Sequence, residues 1–394
     1  MDNITNTNGS SLIQSECTFP YNRTDEQWSI PLRFQWWIEG CGSITIGFTG
    51  IALNMTTICI VLGSKLSANF FNWLIIALVI FDSNFLFVGI LEGFRTQHGE
   101  STVLRHLFVY ILHYYRSVIL LCSEYMTILL ALERYQALTN SVECRCNEST
   151  RYNIRRYFAL HRCRLTKYVG PVIVLASIFY IPKTMEIQLA YQEICINLTQ
   201  GRICWDQEVG MEPTKLRFND KYVSWYLNIA NNLITLVIPF ASLIFLNFNI
   251  FSCLKQHVSN SRLRRESIGV YETLNDVDMQ RERKIARRER NMVQQTLMLF
   301  AIVTLFLISH TPRIILNLEE WIYAEETKEA EEKNCSWVQY WTLFVKPMSH
   351  LLLQVNSMTS AFIYCIFNSL FRETLRIKLK RTTDRLMKIQ KCWK

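Results

Sequence analysis

Long apolar blocks alternate with charged segments along most of the chain. A bilayer core about 30 Å thick is spanned by roughly 20 helical residues. Seven blocks are candidates for such helices, although the fourth is short: 44–63, 70–91, 107–132, 168–182, 233–246, 297–316 and 337–367. Aromatic residues from Trp225 onward precede the fifth block. The pattern predicts an all-α membrane protein built as a bundle of seven transmembrane helices.

Lysine and arginine are concentrated in three of the connecting segments. These segments are 134–167, 281–290 and 372–394, and alternating helices place all three on one side of the membrane. An excess of Lys and Arg marks the cytoplasmic side. The other side receives the N-terminus and the acidic loop 319–333. The charges therefore predict a multi-pass plasma-membrane protein with an extracellular N-terminus. Because they flank apolar blocks, they do not indicate a nucleic-acid partner.

Asparagine glycosylation sequences support the same orientation. Five of them fall on the predicted outer side, at Asn3, Asn8, Asn22, Asn197 and Asn334. Acceptor sequences of this kind are used on exported surfaces. We therefore expect residues 1–35 to form an extracellular glycosylated tail and residues 36–367 to form the seven-helix domain.

The remaining part, 368–394, is predicted to be cytoplasmic. Apolar residues recur there at helical spacing among Lys and Arg, at Leu370, Phe371, Leu375 and Leu379. This spacing predicts an amphipathic helix that lies on the inner leaflet and contacts membrane lipids, followed by a basic tail. An ordinary solvated helix is the alternative.

Polar residues and prolines inside the apolar blocks are the next informative feature. A charged residue at a helix centre costs about 2.5–3.5 kcal/mol, so such residues have partners or a function. In chain order they are Asn54, Asp82, Glu133-Arg134-Tyr135, Pro239, Ser309-His310-Thr311-Pro312, Asn356-Ser357 and Tyr364. In this order the residues resemble the motifs of the rhodopsin-like (class A) G-protein-coupled receptors, and the resemblance covers residues 36–380.

Four longer sequences narrow the resemblance. They are ALERYQAL (131–138), IPKTMEI (181–187), IPFASLIFLN (238–247) and NSMTSAFIYCIFNSLFRE (356–373). These are similar to invertebrate neuropeptide receptors of the FMRFamide-receptor type. The resemblance implies an extracellular peptide ligand and a heterotrimeric G protein as partners. It also implies that the G-protein switch uses Glu133, Arg134, Tyr135, His310, Pro312 and Tyr364.

Some positions depart from the pattern of that family. His310 stands where the family has its toggle tryptophan, and Ser360-Ala361 begins the sequence that replaces NPxxY. Val109 stands near the place of the usual cysteine at the outer end of helix three. The sequence therefore assigns neither the standard extracellular disulfide nor the standard toggle to this chain.

Helix three carries a polar stripe, which must face the bundle rather than lipid. Arg116 in this stripe is charged and needs an anion, for which Glu92 is the candidate. An internal ion pair and a contact with ligand are both open for Arg116. A cationic amine ligand would be repelled there. Gln354 in place of a Schiff-base lysine argues against retinal.

The resemblance and the acidic outer loop together indicate a basic, C-terminally amidated peptide ligand. Ligands of the FMRFamide type end in Arg followed by an amidated aromatic residue, and an acidic mouth attracts cations. A solvated charged loop without a role in binding is the alternative. The expected ligand-binding residues lie at outer helix ends: Glu92, His113, Arg116, Asn317, Glu320 and His350.

Three polar residues match the allosteric sodium site of the family: Asp82, Ser123 and Asn356. A hard cation prefers carboxylate and neutral oxygens. A polar cluster that is held by hydrogen bonds without an ion is the alternative. No other cofactor is expected.

Cysteines on the predicted outer side are candidates for disulfides, because disulfides persist there. Cys195–Cys204 would close a loop around Asn197, and Cys17–Cys335 would tie the tail to the third outer loop. The sequence leaves the pairing open.

No nucleophile–base or metal constellation occurs in the sequence, so an enzyme is not expected. Two function classes stay open beside a coupled peptide receptor. Charged residues inside spans, such as Glu124, suggest an ion-coupled transporter or channel, but no inverted repeat is visible. The altered His310 and Ser360-Ala361 suggest a receptor that binds peptide without coupling.

Overall fold

The computed structural model describes residues 25–63, 70–98, 102–143, 154–198, 201–268, 276–332, 338–367 and 371–378, with single positions at 380, 383 and 387. Within these residues, seven helices are long and apolar enough to cross a membrane. The predicted number of spanning helices is confirmed in this respect. We name the end of the bundle where helix one begins the outer end, and the opposite end the inner end.

The first four spanning helices are longer than the predicted blocks. Helix one joins Asp25–Gln35, the π-helical Trp36–Gly42 and Ser43–Leu62, and helix two is Phe70–His98. Helix three joins Thr102–Leu107, the π-helical Phe108–Leu112 and His113–Glu143. Helix four is Ile154–Phe179, followed by a 3-10 turn at Ile181–Met185. Helix one therefore begins inside the segment predicted to be a tail.

Helices five and six also extend beyond their apolar blocks, whereas helix seven begins inside its block, at Thr342. Helix five follows a 3-10 turn, Lys215–Phe218, and joins the π-helical Tyr222–Ala230 and Leu233–Val237 to Ile238–Ile268. Helix six is Asp276–Ile322, and helix seven is Thr342–Phe367. The polar, charged stretch 255–290 is helical in both parts that the structure describes, 255–268 and 276–290.

A two-stranded β-hairpin between helices four and five is an addition to the predicted helical bundle. Strand β1, Ile187–Leu198, pairs antiparallel with β2, Gly201–Pro213, and the register shifts between Ala190 and Tyr191. Apolar and polar residues alternate only at the two ends of β1, in Ile187-Gln188-Leu189 and Ile196-Asn197-Leu198. The segment is too polar to enter the membrane, so pairing with its neighbour satisfies its backbone groups.

The acidic segment between helices six and seven is mostly helical where the structure describes it. Glu319 and Glu320 belong to the outer end of helix six, and Ala324–Glu332 forms a short separate helix. Ala, Glu and Lys are strong helix formers. The first turn of the short helix holds Glu325 and Glu326, where the helix dipole favours negative charge.

The interior of the bundle is apolar and closely packed. Its main core joins helices two, three, five and six through fully buried side chains, among them Leu78, Met126, Leu243 and Phe306. Large apolar side chains such as Phe248 are exposed on the opposite faces of the same helices. Exposed apolar faces of this extent are expected where lipid is the solvent.

Glycines allow helices one, two and seven to approach closely. A Cβ added to Gly47 of helix one would lie 2.3 Å from Ile90 Cγ1 of helix two. At Gly89, an added Cβ would lie 2.4 Å from Gln354 Nε2 of helix seven. That amide instead donates a 3.1 Å hydrogen bond to Ser43 Oγ. Small residues at such crossings bring the polar groups of neighbouring helices within reach.

The chain after helix seven is helical where the structure describes it. Residues 371–378 are helical, and Phe371 is fully buried against helix seven. Lys378 Nζ donates a 2.9 Å hydrogen bond to a backbone carbonyl at the inner end of helix one. Two of the four predicted apolar positions lie outside the described residues, namely Leu370 and Leu379. Contact of this helix with lipid stays a prediction.

Candidate functional site

A cavity of about 580 Å³ opens at the outer end of the bundle. All six residues predicted to bind ligand line it: Glu92, His113, Arg116, Asn317, Glu320 and His350. A second cavity of about 450 Å³ adjoins it and shares Arg217 and Arg313 with it. Cavities of this size accept small or short-chain ligands. The fold thus brings the predicted residues together, and ligand binding by them stays a prediction.

Arg116 and Glu92 form the internal ion pair that the sequence suggested. Arg116 Nη1 lies 2.7 Å from Glu92 Oε1 and 2.5 Å from Oε2. The guanidinium also lies over the ring of Phe85, 5.7 Å from its centroid. Both charged residues still line the cavity, so a ligand in the cavity can reach the pair.

Two other predicted ligand residues have protein partners that link helices. His350 Nδ1 lies 2.6 Å from Glu39 Oε1, which joins helix seven to helix one. Asn317 Nδ2 donates a 2.6 Å hydrogen bond to Asn232 Oδ1, which joins helix six to helix five. These contacts orient both side chains at the cavity wall.

The two glutamates at the outer end of helix six differ in availability. Glu320 pairs with Arg217 of the segment before helix five. Glu319 also lines the cavity, and it forms no ion pair with any residue that the structure describes. Of these two carboxylates, Glu319 is therefore the one that is open to a cation from outside.

A buried glutamate, Glu186, organises the outer end next to the cavity. Its carboxylate lies 3.2 Å from His113 Nε2 and 3.5 Å from Lys183 Nζ, and it accepts a 2.8 Å hydrogen bond from the Tyr222 hydroxyl. Burial alone would raise the pKa of Glu186. These three partners and the charge of Arg217 outweigh burial and lower the pKa to about 2. Helix three, the turn after helix four and helix five thus meet at one carboxylate.

His310 in helix six faces a carboxylate on one side and the ring of Phe306 on another, with ring centroids 4.0 Å apart. His310 Nε2 lies 3.1 Å from Glu124 Oε1 of helix three. Arg313 Nη1 lies 3.3 Å from the same oxygen. Pro312 lies inside helix six between these two residues. Helices three and six are therefore joined here by buried charges.

The candidate sodium site is a buried carboxylate among hydroxyl groups. Ser123 Oγ donates a 2.6 Å hydrogen bond to Asp82 Oδ1, and the hydroxyls of Ser357 and Ser360 also face the carboxylate. Asp82 Oδ2 is buried without a hydrogen-bond partner among the described residues. The backbone carbonyl of Asn356 accepts a hydrogen bond from Ser360. One orphaned carboxylate oxygen beside three hydroxyls fits a small hard cation.

Asp82→Asn is expected to abolish any dependence of agonist affinity on sodium, because it removes the carboxylate charge that would hold the ion. The measurement is agonist binding in sodium chloride and in choline chloride at equal ionic strength. Ser83→Ala is the control, since the Ser83 hydroxyl donates only to the Val79 carbonyl in the same helix. A wild-type protein whose affinity ignores sodium would instead support the ion-free polar cluster.

The predicted G-protein switch lies at the inner end of helix three. The Arg134 guanidinium lies over the ring of Phe71 in helix two, 3.4 Å from the ring centroid. Glu133 reaches Arg164 of helix four at 4.0 Å. Tyr135 is partly buried against the main core. The three residues thus contact separate neighbours, and their role in coupling stays a prediction.

Tyr364, the predicted switch residue of helix seven, is held at the same end of the bundle. Its hydroxyl donates a 3.2 Å hydrogen bond to Asn72 Oδ1 of helix two. Its ring meets Phe371 edge to face, with centroids 5.2 Å apart. Tyr364 therefore connects helix two to the short helix after helix seven.

Several predicted modification sites lie outside the described residues: Asn3, Asn8, Asn22, Asn334, Cys17 and Cys335. The ladder of the hairpin places Cys195 directly opposite Cys204, and Asn197 lies near the tip. Opposed antiparallel residues have Cα atoms roughly 4.5–5.5 Å apart, a separation that a disulfide bridges. The Cys195–Cys204 disulfide and glycosylation of Asn197 both stay predictions.

Sequence reasoning missed several charged residues of the cavities, among them Glu186, Arg217 and Arg313. Arg313 follows Pro312 inside an apolar block, so the cost argument that singled out Arg116 applies to it equally. Glu186 belongs to IPKTMEI (181–187), a sequence whose only signal is its resemblance to the receptor family. Arg217 lies in a polar connecting segment, where a lone arginine carries no signal.

Comparison with known proteins gives one informative match. No protein-family model matches the chain. The chain is 22% identical over 264 residues to an FMRFamide receptor of Drosophila melanogaster, a match that covers 67% of this chain and 38% of that receptor. The spanning helices, the motifs and this match together confirm that the chain is similar to the invertebrate FMRFamide receptors within the rhodopsin-like G-protein-coupled receptor group.

Proposed function

We propose that this chain is a G-protein-coupled receptor for an extracellular neuropeptide that is basic and C-terminally amidated, in the manner of FMRFamide. The observation that carries the proposal is the convergence of the six expected ligand residues on one outer cavity. Binding of the peptide rearranges the helices, and the inner end then activates a heterotrimeric G protein. No enzymatic step is part of this function.

The charges of the cavity suit the two ends of such a peptide. Arg116 and Arg313 offer guanidinium donors to carbonyl oxygens of the C-terminal end. Glu319 offers a carboxylate to the arginine of the ligand, and Phe108 offers an aromatic surface to its terminal ring. The peptide therefore enters with its amidated end first and its arginine towards helix six.

The proposed location is the plasma membrane, with the N-terminus outside and lipid around the helices. The Lys- and Arg-rich segments then lie in the cytoplasm, where a G protein binds. The inner extensions of helices five and six, 254–268 and 276–295, project on that side.

Neutralising Glu319 and Glu320 together is expected to lower the potency of FMRFamide about tenfold or more, because a charge-assisted contact is worth roughly 1.5–3 kcal/mol. The same double variant is expected to lower the potency of an analogue with citrulline in place of arginine by much less. The wild-type potency of FMRFamide also falls as ionic strength rises. The measurement is nucleotide exchange on purified G protein over a range of peptide concentrations.

The single variants separate the two carboxylates. Glu319→Gln is expected to cause most of the loss of FMRFamide potency. Glu320→Gln serves as the matched control because Arg217 already neutralises Glu320. Equal losses for the arginine and citrulline peptides would show that no charge pairing exists at this wall.

Two other functions are distinguished by the same preparation. Buried charges such as Glu124 motivate an ion-coupled transporter or channel, which would give ligand-evoked current without a G protein. The histidine at position 310 motivates a receptor that does not couple, which would bind peptide without nucleotide exchange. Peptide-dependent exchange supports the coupled receptor against both.

A further inference from the structure

Glu124 is the centre of a buried charge cluster beneath the outer cavity. Its Oε1 atom lies 3.1 Å from His310 Nε2 and 3.3 Å from Arg313 Nη1. The side chains of Glu124 and His310 are each 1% exposed, whereas that of Arg313 is 21% exposed. Arg313 also lines both outer cavities. One side chain thus reaches from the space open to ligand to a carboxylate in the protein interior.

Hydrogen bonding fixes the number of protons in this cluster. His310 Nδ1 lies 2.9 Å from the Phe306 carbonyl oxygen, which can only accept, so Nδ1 carries a proton. The contact between Nε2 and Glu124 Oε1 requires one more proton between them. The pair is therefore either imidazolium with carboxylate or imidazole with carboxylic acid. Its net charge is zero in both cases.

The Arg313 guanidinium, which remains protonated, therefore leaves the cluster with one net positive charge. Glu92 pairs with Arg116 and Glu186 pairs with Lys183. Glu319 lines the same larger cavity but forms no ion pair with Arg313, whose ion pair among the described residues is the one with Glu124. Tyr180, directly after helix four, places a neutral hydroxyl beside Arg313. An unbalanced charge in a membrane interior is costly. The exposed part of Arg313 therefore favours an acceptor oxygen from the cavity.

The cluster also holds helix six against helix three. Oε2 of Glu124 is buried without a hydrogen-bond partner among the described residues, so the carboxylate has capacity to change partners. Pro312 removes one backbone hydrogen bond of helix six next to His310. Weakened contacts at Glu124 therefore release helix six at the point where its backbone is least constrained.

We propose that Glu124, His310 and Arg313 form a latch between helices three and six, and that Arg313 opens it by binding the carbonyl oxygen of the ligand's C-terminal carboxamide. The inference rests on the proposed peptide-receptor function and deepens it. Bound ligand draws the guanidinium from Glu124, so the carboxylate keeps only His310. A ligand shifts this equilibrium by the difference between its affinities for the latched and released states.

The latch is tested first without ligand or G protein. Spin labels at Ala137 and Arg290, exposed at the inner ends of helices three and six, report the distance between these helices. Glu124→Gln is expected to raise the population with the longer distance about fivefold or more. Thr311→Ala is the matched control, since its hydroxyl faces outward and bonds only the Leu307 carbonyl of helix six. Identical distance distributions in wild type and Glu124→Gln would overturn the latch.

The ligand contact is tested with FMRFamide and an analogue that ends in phenethylamine and so lacks the terminal carboxamide. Wild-type protein is expected to bind the complete peptide at least tenfold more tightly, and Arg313→Gln to bind both equally. If Arg313→Gln does not fold, the same comparison is made with Arg313→Lys, which keeps the positive charge. The same tenfold preference in both Arg313 variants would overturn the assignment of Arg313. If wild type shows no peptide-dependent nucleotide exchange, the proposed function fails, while the spin-label distances still decide the latch.

Discussion

Arg134→Ala is expected to remove most G-protein activation, by tenfold or more in nucleotide exchange, while the protein still reaches the cell surface. Arg134 lies over Phe71, a cation–π contact worth about 0.5–2 kcal/mol, so its loss does not unfold a seven-helix bundle. Its proposed role is a contact made in the active state, which an alanine cannot replace. The signal is therefore lost without a matching loss of protein.

Surface labelling and nucleotide exchange on the same cells separate these two effects. Arg164→Ala is the matched control, because it removes a neighbouring inner arginine that pairs with Glu133 at 4.0 Å and is 48% exposed. We expect this control to retain most activation. Undiminished exchange in Arg134→Ala would remove Arg134 from the switch.

Glu186→Gln is expected to destabilise the outer end of the bundle by about 3 kcal/mol. A carboxyl group whose pKa falls from 4.5 to about 2 stabilises the folded state by roughly that amount when ionised. The glutamine also leaves Lys183 buried without its anion. The contact between Glu186 and His113 joins the outer end of helix three to the segment before the hairpin. Val109 stands near this end of helix three, where the family has its usual cysteine. The thermal midpoint of purified protein measures the loss.

The pH dependence has a definite sign. Because folding lowers the pKa of Glu186, its contribution is complete above pH 4.5 and is lost as pH falls towards 2. The difference in midpoint between wild type and Glu186→Gln should therefore shrink below pH 4.5. Glu212→Gln is the control, since Glu212 is exposed on β2 and bonds Gln188 at 2.7 Å. A wild-type midpoint equal to that of Glu186→Gln at pH 7 would contradict the role of this carboxylate.

Seven spanning helices were predictable because the requirement is local. Each block must supply enough consecutive apolar residues to cross hydrocarbon while every backbone group is paired within its own helix. The sequence did not predict the β-hairpin, because a short strand forms only when it pairs with a partner strand. The acidic segment forms a short helix because its Ala, Glu and Lys have high helix propensity, which its charge pattern does not indicate.

The candidate ligand residues were predictable as a group for a related reason. A charged residue in a spanning helix must face the interior, so Arg116 required an anion, and Glu92 was the nearest acid at the same depth. The structure joins these two residues as expected. Burial cost therefore determines from the sequence alone which residues point inward.

Apart from the pair of Arg116 and Glu92, tertiary structure alone decided which charges meet. Glu320 was expected to be available to ligand, but Arg217, about 100 residues earlier, pairs with it. Arg313 and His310 share Glu124 because helices three and six are rotated so that these side chains meet at one depth. Spacing within one helix determines the face of a residue, whereas its partner depends on the relative rotation and depth of two helices. The sequence by itself thus determined the membrane helices and their polar faces, and packing between helices decided the pairs that make the site.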